Sequence, residues 1–169
     1  MRIIVTWDRE LSARLTLPTE AVLLRRVATL GAHLGDSWLW LAASSVAWMV
    51  GDAAVRRLVL VVGLAVVFAV GVTMLLKILV RRRRPQERGG FYSQGTADRY
   101  SFPSGHAARV ASIAVTLGLS SPLAAAIFYP WAVFVALCRV LLGLHYLGDI
   151  LVGLGTGFIA SCVLAAILS

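Results

Sequence analysis

Residues 58–85 read LVLVVGLAVVFAVGVTMLL and then KILVRRRRP: nineteen residues without a charge, followed by the only lysine of the chain, four arginines and a proline. At about 1.5 Å per residue the uncharged part would reach roughly 28 Å as a helix, close to the thickness of bilayer hydrocarbon. The stretch reads as one membrane crossing that ends in a dense block of positive charge.

The rest of the chain agrees with a bilayer setting. Of 169 residues, 59% are hydrophobic and the mean hydropathy is +0.84, well above the roughly half-apolar mix of a soluble domain. A second uncharged run, 110–138, is too long for one crossing and is broken by Ser120, Ser121 and Pro122. It predicts two helices joined by a tight turn. A third apolar run extends from Ile150 to the C-terminus, and Ser37 to Gly51 reads as a short or tilted crossing with Trp38, Trp40 and Trp48 near its ends, as interfacial aromatics sit.

Thr19 to Leu34 holds Arg25 and Arg26 inside its apolar pattern, where each would cost about 2.5 to 3.5 kcal/mol at mid-membrane. It reads as a first helix, lying in the interface or with snorkelling arginines. The N-terminal MRIIVTWDRELSARL mixes acids with apolar residues and does not read as a cleavable signal peptide. Cys138 and Cys162 fall in apolar helices and read as buried small residues. The expected fold is all-α: a polytopic membrane bundle of about six helices, with residues 1–169 as a single membrane-embedded domain.

A net charge of +8 could suggest nucleic acid, but the basic residues are not interleaved with aromatics along a soluble face, so no nucleic-acid partner is expected. Lys77, Arg81 to Arg84, Arg88 and Arg99 cluster in one connection. A positive-inside loop or a surface for anionic headgroups are the ordinary explanations. Two further polar clusters stand at span ends: SFPSGHAAR, 101–109, and CRVLLGLHYLGD, 138–149. If the helix ending at Lys77 reaches one face, the helix from Gly105 returns and the helix after Pro122 crosses back toward His145. All three clusters then share a face, as an active site built from helix ends requires.

Each cluster suggests chemistry. Lys77 and Arg84 are seven residues apart, so they share a helix face if that helix continues to Pro85, and an ammonium with a guanidinium makes a phosphate clamp. Pro103 suits a helix start, while Ser104 and Gly105 can present backbone donors to an anion, with His106 in the first turn able to give a proton. His145 and Asp149 are four apart, the spacing at which helical side chains meet, and a carboxylate that fixes one imidazole nitrogen leaves the other as a base or nucleophile. Arg139 adds a third cation. Polar residues so placed at the end of an apolar helix are costly, which makes a functional site the default reading. Together they describe phosphoryl transfer without a metal or cofactor; with eight acidic residues in the chain and only Asp149 in the clusters, a metal site fits worse.

The ordered set KILVRRRRP, PSGH and CRVLLGLHYLGD resembles the three motifs of the type 2 phosphatidic acid phosphatase family, the integral-membrane lipid phosphate phosphatases. The resemblance implies that Lys77, Arg84 and Arg139 bind the substrate phosphate with Ser104 and Gly105. It further implies that His145 attacks phosphorus to form a phosphohistidine, Asp149 orients it, and His106 protonates the leaving group. Cys138 stands where the family usually has serine, which puts a hydrogen bond near Arg139 in doubt. Arg109 is additional: it either pairs with an acid such as Asp98 or Glu87 or contacts a second phosphate, as the similarity to isoprenoid diphosphate phosphatases suggests. Arg81, Arg82 and Arg83 are expected to meet headgroups or steer an anionic substrate.

The expected activity is hydrolysis of a lipid phosphate or diphosphate, with a polyprenyl diphosphate preferred over phosphatidate or phosphatidylglycerophosphate. Membrane lipids are the surrounding partners. Following the resemblance, the protein is expected in the plasma membrane with its site on the extracytoplasmic face. A catalytically silent lipid-binding protein should lack one of the motif residues, and none is missing.

Overall fold

The computed structural model describes residues 2–85 and 99–168. Among them lie seven helices: α1 (Arg2–Leu15), α2 (Val22–His33), α3 (Ser37–Val50), α4 (Ala53–Val80), α5 (Gly105–Ser120), α6 (Pro122–Leu141) and α7 (Leu147–Leu168). The bundle is all-helical, as expected, with one helix more than expected because the N-terminal segment forms α1. Glu87, Arg88 and Asp98 lie outside the described residues.

Local signals set the helix starts. Asp52 caps α4 by accepting from the Val55 N–H at 2.9 Å, and Ser104 caps α5 by accepting from Ala107 at 3.3 Å. Ser121 caps α6 by accepting from Ala124 at 3.1 Å, directly before Pro122. A proline at a first helical position forfeits no helical hydrogen bond, so the Ser120–Ser121–Pro122 break is a tight turn between two helices.

Helices α4, α6 and α7 are each long and apolar enough to cross a membrane, and α3 is a shorter apolar helix. Helix α5 packs against all three long ones. The protein is a multi-pass membrane protein. Its large apolar side chains face outward: Val67 is 70% exposed and Leu123 72%. Its interior is built from small ones, including Ala65, Ala69, Ala107, Ala108, Ala136 and Ala160. In lipid the outward face gains nothing from hiding, so helices associate where small residues let backbones approach and polar groups bond across. The α5–α7 seam does both: Ser161 Oγ donates to the Ser112 carbonyl at 3.1 Å, and a Cβ at Gly157 would collide with the Ala108 carbonyl.

Helix α2 lays Ala28 and Ala32 against Cys138 of α6 and turns Leu23 and Leu30 outward. Arg25 donates to the Leu17 carbonyl at 2.8 Å, which satisfies part of its guanidinium within the protein. Trp40 departs from the interfacial expectation. It packs on Trp131 at 5.0 Å and Phe128 at 6.1 Å between ring centroids and donates to the Leu34 carbonyl at 2.8 Å, so it fastens α3 to α6.

Candidate active site

Helix α4 stops at Val80, so the expected continuation to Pro85 does not occur and Lys77 and Arg84 do not share a helix face. Arg81 caps the helix in the left-handed region at φ 51°, a conformation unfavourable for a side chain with a Cβ, and the chain leaves the helix axis there. The next residues run beside 99–101: Ser101 N–H donates to the Arg82 carbonyl at 2.8 Å, and Arg83 bridges Tyr100. Lys77 is fully buried and donates from Nζ to the Tyr100 carbonyl at 2.9 Å. Arg84 reaches the α6–α7 turn, where Nη1 lies 3.2 Å from His145 Nε2 and 3.4 Å from the Leu144 carbonyl.

Arg82 contradicts its expected role. It folds inward, donating from Nη1 to Asp149 Oδ1 at 2.9 Å and from Nη2 to Asp8 Oδ2 at 2.7 Å. Its guanidinium lies 3.9 Å over the Tyr146 ring. Arg81 and Arg83 are exposed.

At the start of α5, Ser104 is buried and its N–H is taken by the Asp149 carbonyl at 3.0 Å, so it does not present that donor to an anion. The amides of Gly105 and His106 follow in the first turn, where helices leave N–H groups without partners of their own. A Cβ on Gly105 would meet no atom within 4 Å, so space adjoins that helix end. His106 Nε2 lies 3.1 Å from Asp36 Oδ1, and the other Asp36 oxygen lies 2.7 Å from His33 Nδ1. Burial pushes the Asp36 carboxyl up, but hydrogen bonds from His33 and His106 outweigh this and hold it below its ordinary value. Arg109 donates to the Gly35 carbonyl at 2.9 Å, beside Asp36. The charges of Arg139 and Arg109 both act on His106.

Arg139, 4% exposed, occupies the last turn of α6. The chain then turns through Gly143 at φ 68°, a conformation that glycine adopts without penalty. His145 sits in this turn, not in a helix, with Nδ1 3.6 Å from Asp149 Oδ2. Asp149 belongs to the first turn of α7 and its Oδ2 accepts from the Tyr146 N–H at 2.9 Å. That reach back to the helix start is one half of a capping box, and it fixes the carboxylate against the turn that holds His145.

The other α7 donors are capped from α1. Asp8 Oδ1 accepts from Gly148 N–H and Ser12 Oγ from Leu147 N–H, each at 2.8 Å. Sequence reading missed Asp8, Ser12, Asp36 and the inward turn of Arg82. The available signal was the spacing of Asp8 and Ser12, four apart on one side of a segment whose Trp7, Leu11 and Leu15 repeat at the same interval on another. A cavity of about 260 Å³ opens between α1 and the α6–α7 turn, lined by Arg9, Ser12, Thr16, Pro85, Gly143 and Tyr146. Cys138 packs toward α2, with its thiol against Gly31, so its effect falls on helix packing.

Several cations, two histidines each beside a carboxylate, and a helix N-terminus gather at the ends of membrane helices. Such a set can neutralise a phosphate and move protons around it, which is the equipment of an integral-membrane phosphatase. The PAP2 superfamily matches residues 58–169, and the chain belongs to that superfamily. Decaprenylphosphoryl-5-phosphoribose phosphatase of Mycobacterium tuberculosis (strain ATCC 25618 / H37Rv) is 34% identical over 134 residues, 75% of this chain and 70% of the relative. The solved transmembrane PAP2-type phosphatidylglycerolphosphate phosphatase of Bacillus subtilis shares the fold at a TM-score of 0.75, with 22% identity, 99% of this chain and 87% of that one. Aquifex aeolicus LpxE matches at 0.75, with 21% identity and 93% of both chains. The protein is a membrane lipid phosphatase of the PAP2 type.

Proposed function

We propose that this phosphatase removes a terminal phosphate from a polyprenyl-linked lipid through a phosphohistidine at His145. The observation that supports the mechanism is the setting of His145, with Arg84 3.2 Å from Nε2 and Asp149 3.6 Å from Nδ1. A guanidinium only donates, so Nε2 presents its lone pair and the ring proton sits on Nδ1, toward Asp149. Nε2 attacks phosphorus, the bond to the leaving oxygen breaks, and His106 gives that oxygen its proton. Water then attacks the phosphohistidine, the phosphorus–nitrogen bond breaks, and the proton released by water passes to His106.

Lys77, Arg84 and Arg139 bind the phosphate charge, with the α5 amide of Gly105 and the hydroxyl proton of Ser104. Arg109 donates to the Gly35 carbonyl beside Asp36 and is the candidate for a second-phosphate contact. The scheme uses no metal.

The mycobacterial relative supports a polyprenyl carrier, with a polyprenylphosphoryl phosphoribose ranked first and a polyprenyl diphosphate second. Residues 1–169 act as one domain in the plasma membrane, with the site on the extracytoplasmic face. The test is phosphate release by purified protein, with a chelator present, from decaprenylphosphoryl-5-phosphoribose, decaprenyl diphosphate, phosphatidate and phosphatidylglycerophosphate. The highest kcat/KM is expected on the first; a preference for either glycerolipid overturns the substrate, and full activity in His145→Ala overturns the mechanism.

A further inference from the structure

Arg82 and Asp8 take no part in the scheme above, yet Arg82 bonds directly to the carboxylate that faces His145. Asp149 is fully buried, and its Oδ2 serves both the Tyr146 N–H and the His145 ring. Oδ1 accepts from Arg82 Nη1 at 2.9 Å, and the Ser101 hydroxyl also bonds to the carboxylate. Arg82 is the charged member of that hold, and without it the carboxylate would be less firmly directed at the imidazole. Arg82 in turn is fixed at three points: by Asp149, by Asp8 at 2.7 Å and by the Tyr146 ring at 3.9 Å. Its Nε is buried without a hydrogen-bond partner, so its place is set by the two carboxylates and not by satisfaction of every donor.

Asp8 acts on both sides of Asp149. One oxygen takes Arg82, and the other takes the N–H of Gly148, the residue before Asp149. Trp7, Leu11 and Leu15 on the same helix are 73%, 48% and 38% exposed, so α1 presents an apolar stripe outward while its polar side docks on the site, the pattern of a helix lying in the membrane interface.

We propose that Asp8 and Arg82 are positioning residues for the His145–Asp149 pair: α1 holds Arg82, Arg82 holds Asp149, and Asp149 sets the imidazole. The proposal rests on the reading that His145 and Asp149 perform the reaction. The competing account is that Asp8 and Ser12 only cap α7 and fasten α1.

Asp8→Asn separates the two, since the amide keeps an oxygen for the Gly148 N–H but gives Arg82 no charge. In detergent-purified protein, kcat is expected to fall on the order of ten-fold with KM nearly unchanged, as for a misplaced reacting group. Asp8→Glu should recover part of the loss, and Ser12→Ala, which removes the other cap, should leave kcat unaltered. In an Arg82→Gln background, Asp8→Asn should cost nothing further, because coupled residues are not additive. Thermal unfolding checks each variant for folding; if Arg82→Gln does not fold, the comparison of Asp8→Asn with Asp8→Glu and Ser12→Ala decides. Wild-type kcat in Asp8→Asn, an equal loss in Ser12→Ala, or additive losses in the double variant overturns the proposal. Those results leave the phosphohistidine reading standing as long as His145→Ala is inactive; full activity in His145→Ala overturns both.

Discussion

Arg84 Nη1 stands 3.2 Å from His145 Nε2, so the cation proposed to bind phosphate and the nitrogen proposed to attack already face each other. An incoming phosphate would draw the guanidinium onto its oxygens and leave the lone pair directed at phosphorus. Arg84→Ala is therefore expected to lower kcat/KM by about 10²- to 10³-fold, the usual loss for one preorganised donor. Arg84→Lys should recover little, because an ammonium lacks the planar fork that spans Leu144, His145 and phosphate. Initial-rate phosphate release measures both.

The proposed mechanism specifies which nitrogen would be modified. A phosphoenzyme trapped by rapid acid-free quenching should carry phosphorus on Nε2 of His145, as read by phosphorus–nitrogen coupling in labelled protein. Phosphorus on Nδ1 would contradict the tautomer that Arg84 imposes.

Asp36 links His33 and His106, so Asp36→Asn should reduce kcat on the order of ten-fold by loosening His106, the proposed proton donor. His33→Ala should change it little, since that side chain is 63% exposed. The pH dependence has a definite sign. The folded carboxyl sits below its ordinary 3.8, so its stabilisation is present above that value and is lost as pH falls through the lowered one. The difference in thermal midpoint between wild type and Asp36→Asn should hold steady down to about pH 5 and shrink below about pH 4.

Close helix contact at the α5–α7 seam makes the α7 glycines unequal. A Cβ at Gly153 would sit 2.5 Å from the Ser104 carbonyl, whereas one at Gly155 would meet nothing within 4 Å. Gly153→Ala is expected to destabilise by about 1 to 3 kcal/mol and to lower activity, because it presses on the cap that starts the His106 helix. Gly155→Ala should be neutral or gain up to about 1 kcal/mol from helix propensity. Thermal unfolding in detergent with parallel kinetics distinguishes them.

Cys138→Ser restores the residue usual in the family at a site that here faces Ala28 and Ala32. A buried hydroxyl among alanines is expected to cost about 1 kcal/mol of stability. Because the thiol faces α2 and not the site, kcat and KM should stay within about two-fold of wild type.

Most of the bundle was legible in the chain. Uncharged runs, the Ser120–Ser121–Pro122 break and the order of the polar clusters marked α3 to α7, and an apolar pattern around two arginines marked α2, because burial in lipid is a property of each segment's own composition. Helix α1 was not legible by that criterion: its apolar residues are too few to cross, and what distinguishes it is periodicity on two sides. The motif residues Lys77, Arg84, His106, Arg139, His145 and Asp149 could be named from spacing and resemblance. Apart from the His145–Asp149 pair, their partners could not.

By itself, then, the sequence determined that this is a helical membrane protein whose cations and histidines converge on one face. Span length and the order of turns fix that outcome before any packing is known. Only the tertiary structure decided where α4 ends, which of four consecutive arginines turns inward, and that Asp8 meets Arg82 and Asp36 meets His106. Arg82 and Asp8 are 74 positions apart and Asp8 and Gly148 are 140. A buried carboxylate selects its partners by where folded helices place a charge within reach, and no local pattern encodes that distance.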